Sequence, residues 1–192
     1  MALTTLNNQS ISDLTDFNLS TDDMPTGSVL QVVSALSNVL ITGTNADSSW
    51  LALSGLEATI TPISSSSKVL VTVHIGKASN AADSTSSGDR QINFKITRGS
   101  TDIGLGQTWQ NRMRATFSVL DGPHHSAGRG GSSASYQILD TPATTSATTY
   151  KVYGAGHAGE VWAVNRPAEV ENSADAPQST TTSTITLTEI AG

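Results

Sequence analysis

The chain has 192 residues, a net charge of −6, 14% charged residues and no cysteine, where an ordinary globular domain carries about 25% charged residues. An acidic field with no basic stripe argues against a nucleic-acid duplex or an anionic membrane surface as partner, and the missing thiol excludes disulfide staples, cysteine-based zinc sites and a cysteine nucleophile. No apolar run approaches the ~18 residues of a membrane span and the first residues carry no signal-peptide pattern, so the chain reads as soluble, made in the cytosol and without membrane insertion.

Residues 1–26 differ from the rest. Asp13, Asp16, Asp22 and Asp23, with many Ser, Thr and Asn, surround only scattered Leu3, Leu6, Ile11, Leu14, Phe17 and Leu19. That stripe is too narrow for a docked helix, and the segment reads as an extended N-terminal arm. Met24-Pro-Thr-Gly-Ser then punctuates the chain, and residues 27–192 read as one domain. Val29 to Val33 and Asn38 to Thr42 predict two short strands. Leu56, Ala58 and Ile60 alternate with polar residues, the period of a half-buried strand. Thr61-Pro-Ile and four serines lead into Lys68 to Ile75, the most apolar strand and the expected centre of a sheet.

Ala78 to Asp89 reads as a loop. Gln91 to Thr97 alternates again, with Ile92, Phe94 and Ile96 inward. After the Arg98-Gly-Ser turn, Ile103 to Gly106 predicts a short strand, and Met113, Ala115, Phe117 and Val119 predict the inward row of another. Asp121 to Ser135 reads as a second long loop that returns into Tyr136 to Leu139. A Pro-broken, Thr-rich turn feeds the strand Thr148 to Tyr153, where β-branched and aromatic residues favour extended chain. Val161 to Val164 predicts a strand with Trp162 on the face opposite Val161 and Ala163. Arg166 to Thr182 is a long Ser/Thr/Ala-rich connection, and Ser183 to Ile190 closes the domain with Ile185 and Leu187 inward. About ten short strands with turns between them and no convincing helix predict an all-β fold, an antiparallel β-sandwich or jelly-roll-like domain.

Catalytic motifs are missing. The chain holds no phosphate-binding glycine loop, dinucleotide fingerprint, nucleophile elbow or zincin His-Glu-x-x-His, and no cofactor is expected. Asp121, Asp140, Glu160, Glu169 and Glu171 are the carboxylates from which a glycan-hydrolysing pair would have to come, and spacing along the chain does not bring any two together. His124-His125 is the one histidine cluster. Adjacent residues of an extended chain point apart, so a polar loop describes it better than a metal site, and neither a catalytic nor a metal site is expected. Trp109 with Arg112 and Arg114, and Trp162 with Asn165 and Arg166, place a planar aromatic beside cations, which suits a sugar face, a subunit contact or the cover of a core edge. His124, His125 and Arg129, in a glycine-rich loop, join Trp109, Arg112, Arg114 and Trp162 as candidate ligand or subunit contacts.

Six stretches taken together resemble a module of bacteriophage fibre proteins of the marine and cyanophage type: Met24-Pro-Thr-Gly-Ser-Val-Leu-Gln-Val-Val, Ala58 to Val71, Arg98-Gly-Ser-Thr-Asp-Ile-Gly-Leu-Gly, Asn111 to Phe117, Leu139 to Val152 and Ser183-Thr-Ile-Thr-Leu-Thr-Glu-Ile. The resemblance covers the chain from Met24 to its end. It implies a non-enzymatic virion structural protein, displayed on the particle surface as a homotrimer, and it brings no catalytic residues. Fibre modules of this kind often follow a long shaft, whereas here only residues 1–26 precede the module. That departure favours a short appendage, such as a head fibre or capsid decoration protein, in which Leu3, Leu6, Ile11, Leu14, Phe17 and Leu19 anchor the arm on other virion proteins. Two alternatives stay open: a carbohydrate-binding adhesin that recognises host surface glycan, and a glycan-degrading tailspike.

Overall fold

The structure, a computed structural model, describes residues 24–44, 49–80, 91–120, 130–156, 161–168 and 179–192. Those residues build eleven strands and no helix: β1 (Val29–Ser37), β2 (Ile41–Gly43), β3 (Leu51–Ile60), β4 (Lys68–Asn80), β5 (Gln91–Arg98), β6 (Thr101–Ile103), β7 (Phe117–Leu120), β8 (Ser132–Asp140), β9 (Thr148–Ala155), β10 (Trp162–Val164) and β11 (Ser183–Ile190). All pairings are antiparallel, in two packed sheets. The fold is a β-sandwich.

Period-2 alternation makes the sandwich. Val69, Val71, Val73 and Ile75 of β4 are fully buried and meet Ile185 and Leu187 of β11 on the inner face of one sheet. Ile92, Phe94 and Ile96 of β5, Tyr150 and Val152 of β9, and Leu56 and Ile60 of β3 supply the inner face of the other. Each such side chain contributes ~2 kcal/mol on leaving water, and a one-residue slip in any strand would turn its whole apolar row toward solvent.

The long strand β4 organises the first sheet. Along one edge it pairs with β8, from Val69 to Ala78; along the other it pairs first with β11, from Lys68 to His74, and then with β10, from Ala78 to Asn80. Strands β11 and β10 therefore form one broken strand, and β1 and β2, which flank them, form a second. The other sheet runs β3-β9-β5, with β6 and β7 sharing the far edge of β5. With each broken strand, and the edge shared by β6 and β7, counted once, the sheets read β1-β11-β4-β8 and β3-β9-β5-β7. Numbered as eight strands this is 1-8-3-6 and 2-7-4-5.

Several boundaries differ from expectation. The strand beginning at Val29 continues to Ser37, and the next lies at Ile41–Gly43. Ala78 to Asn80 belong to β4, where pairing with β10 extends it beyond its apolar run. Ser132 to Ser135 belong to β8, because their backbones pair with β4 although their side chains are small and, Ala134 apart, polar. Ile103 ends a strand instead of starting one, and the strand predicted around Met113 begins at Phe117. The arm residues Leu3, Leu6, Ile11, Leu14, Phe17 and Leu19 lie outside the described residues.

Where the broken strands meet, Asn165 replaces the missing ladder. Its backbone adopts a φ of 65°, a left-handed conformation that Asn tolerates better than most residues. Its amide nitrogen Nδ2 donates to the carbonyls of Ser37 (3.1 Å) and Val39 (3.0 Å), Oδ1 accepts from the Ser183 hydroxyl (2.6 Å), its N–H donates to Lys77 O and its carbonyl accepts from Thr181 N. One fully buried side chain thus joins both breaks.

Candidate functional site

The chain between β6 and β7 forms a projecting arm. Its base is held by Thr116, whose hydroxyl donates to Ile103 O (3.0 Å) and accepts from Ile96 N (3.2 Å), and whose N–H reaches Phe94 O. Further out, Gly106 N donates to Ala115 O, and at the tip Arg112 N donates to Trp109 O across a turn in which Gln110 has a φ of 50°. Trp109, 65% exposed, stands on that turn with the Arg112 guanidinium 5.5 Å from its ring centroid. The Arg114 Nε donates to Gly106 O (2.7 Å), bracing the two limbs of the arm. The expected grouping is thus divided: Trp109 and Arg112 form an exposed planar pair, and Arg114 holds the arm in shape.

The other candidates separate. Trp162 is fully buried, which corrects its reading as a ligand or subunit contact. Glycines account for the burial. A Cβ on Gly43 or Gly156 would collide with the indole, and one on Gly154 would lie 2.7 Å from Trp162 Cη2, so the ring fills a slot that only glycine leaves open. His124, His125 and Arg129 lie outside the described residues, as do Asp121, Glu160, Glu169 and Glu171.

Asp140 is also reassigned. It stood among the carboxylates from which a glycan-hydrolysing pair would have to come. Instead, it closes β8 and accepts both Arg98 Nη1 contacts (2.9 and 2.8 Å) and the Tyr150 hydroxyl (2.7 Å), while Arg98 also donates to Thr141 O. This ties the end of one sheet to β5 and β9 of the other. Burial, reinforced by the hydrogen bond to Asp140, pushes the Tyr150 phenol well above its ordinary range, so it remains a neutral donor.

Sequence reasoning missed a second aromatic group, on the outer face of the β3-β9-β5 sheet. Lys95 Nζ lies 5.3 Å from the ring centroids of both Trp50 and Tyr153 and pairs with Asp102 at 2.8 Å. Lys95 and Tyr153 are cross-strand partners. Their outward alternation was legible, but the register that brings them together was not. Beside them Lys151 pairs with Glu57 at 2.6 Å, and the Thr59 and Thr149 hydroxyls share a hydrogen bond.

Among the described residues each carboxylate is engaged: Glu57 and Asp102 in these outer pairs, Asp140 in the inter-sheet tie, and Glu189 in a buried pocket of donors. Glu189 is fully buried and accepts Gln31 Nε2 (2.5 Å) and the Ile63 amide (2.7 Å). Burial opposes its charge, but these bonds, the Ser64 amide and the nearby Ser67 hydroxyl outweigh it and hold the carboxyl below its ordinary range. No group of three metal-ligating side chains occurs among the described residues. What the arrangement offers is planar contact and hydrogen bonding on a rigid frame. Comparison with family models and with curated proteins finds no match.

Proposed function

We propose that this chain is a non-enzymatic structural protein of a bacteriophage virion, a homotrimeric surface appendage of the head-fibre or capsid-decoration kind, tethered through residues 1–26. The observation that carries the reading is the edge strand β1. Among the described residues it pairs on one side only, with β11, and exposes Val29, Val32 and Leu36 by 56, 58 and 62%. A nine-residue edge with apolar side chains and no charged residue, irregular only between Val29 and Gln31 at its start, lacks the charges and prolines by which lone β-proteins block association, as befits a subunit of an assembly. The fibre-like stretches give further support, since they fall on the entry to β1, the β3–β4, β5–β6 and β8–β9 turns, the projecting arm and β11. Deletion of residues 1–26 tests the tether: residues 27–192 should stay folded by circular dichroism but fail to attach to particles lacking the protein. Undiminished attachment would contradict the role given to the arm.

A second reading, a carbohydrate-binding adhesin, is favoured by the Trp109–Arg112 pair. An exposed indole on a braced turn suits the apolar face of a sugar ring, with the guanidinium available to ring hydroxyls. The two readings are compatible, because a surface appendage can also adhere to host glycan.

A further inference from the structure

We propose that copies of this chain meet through the outer face of the β1-β11-β4-β8 sheet, with the middle of that face at the centre of the contact. The inference rests on the homotrimer reading above and specifies its surface.

The register arranges the outward side chains in rows that cross all four strands, with neighbours ~4.8 Å apart across the strands and rows ~6.8 Å apart along them. The middle row is Ser34, Thr186, Thr72 and Gln137, already linked in pairs: Ser34 Oγ to Thr186 Oγ1 at 2.9 Å and Gln137 Nε2 to Thr72 Oγ1 at 3.1 Å. On one side lie Leu36, Thr184, His74 and Ser135; on the other, Val32, Thr188, Leu70 and Leu139. No Asp, Glu, Lys or Arg occurs in the three rows, and Leu36, Val32 and Leu139 are at least half exposed. Next to His74 a groove of about 780 Å³ extends the surface, and its lining, which includes Asn38, Leu40, Gly76 and Thr181, is also free of formal charge.

The opposite sheet differs. Its outer face carries the Lys95–Asp102 and Lys151–Glu57 pairs, whose charged groups cost free energy to dehydrate further. Copies of a chain with net charge −6 repel one another, and they approach with the least penalty through these three uncharged rows, which Lys68 borders one row beyond Leu70. The chemistry also suits a second copy of the same surface. Hydroxyl and amide groups both donate and accept, and they alternate with apolar side chains in the mixture typical of interface cores, which are depleted of charge. A basic or acidic partner would find nothing here to select it.

Light scattering on size-exclusion fractions tests this with the full chain, comparing the parent with Thr186→Lys, Gln137→Lys and, on the opposite face, Thr59→Lys. Expected are three times 19.9 kDa for the parent and Thr59→Lys, and a single chain for Thr186→Lys, with unchanged circular dichroism. Should Thr186→Lys fail to fold, the more exposed Gln137→Lys decides, and it too should yield a single chain. A parent trimer left intact by a folded Thr186→Lys or Gln137→Lys would overturn the face and spare the trimer. A parent that is a single chain at every concentration would overturn both.

Discussion

Asn165 shows how much one side chain can organise. Removing its amide strands the buried Ser37 carbonyl, frees the part-buried Val39 carbonyl and takes from the Ser183 hydroxyl the acceptor for its proton, and unsatisfied buried groups cost about 1–3 kcal/mol each. With partial relaxation, Asn165→Ala should lower stability by about 3 kcal/mol. Urea denaturation checks it, and a loss below about 1 kcal/mol would show that the breaks are held elsewhere. Glu189 sets a pH dependence. Its carboxyl is held below the ordinary value of 4.5, so the unfolded chain takes up protons first as pH falls. The stabilisation is therefore complete above about pH 4.5 and lost below it. Glu189→Gln should flatten the acid limb of stability against pH, and an unchanged limb would assign the acid sensitivity to other groups. Neither residue was visible as a hub in the sequence. A lone Asn after a short strand and a Glu on an inward position of β11 read as ordinary surface groups until pairing brings Ser37, Ser183, Gln31 and Ile63 to them.

At the scale of elements, strong alternation was legible and backbone pairing without it was not. Lys68 to Ile75 announced the central strand, since its apolar side chains have no other way to leave water, and Gln91 to Thr97 did the same for β5. Ser132 to Ser135 carried no such pattern and join β8 chiefly through backbone pairing with β4, which the Ser135 hydroxyl and the packing of Ala134 support. Trp162 misled for a related reason. Neighbouring Asn165 and Arg166 suggested exposure, whereas the slot that takes the ring needs Gly43, far away in sequence, beside the nearer Gly154 and Gly156. Gly43→Ala should cost about 2–3 kcal/mol through overpacking against the indole, read as a lower midpoint in urea with unchanged slope. An effect near zero would mean that the slot is loose. The projecting arm makes the opposite prediction. Trp109 lies outside the core, so Trp109→Ala should leave stability within about 0.5 kcal/mol of the parent. If the adhesin reading holds, the same substitution abolishes binding on a glycan array; binding that persists would move the site elsewhere.

At the scale of the molecule, the sequence indicated an all-β sandwich, and strand pairing supplies what it lacked, the order β1-β11-β4-β8 over β3-β9-β5-β7. That order creates two unlike outer faces. One is bound by ion pairs and a cation between aromatic rings; the other is uncharged over its three middle rows, rich in threonine and bordered by the apolar edge of β1. Such asymmetry is expected of a subunit that meets water on one side and its own copies on the other. The candidate contacts were only partly legible, because exposure depends on folding. Trp109 and Arg112 were found together and Trp162 was lost to the core, while Trp50, Lys95 and Tyr153 became a group only through cross-strand register. The central claim is that this protein is displayed on a virion. Antibody-labelled electron microscopy of intact phage particles purified from cultures that produce the chain tests that most directly: the account predicts label on the outer surface of the particle, and particles that are complete yet unlabelled and free of the chain would contradict it.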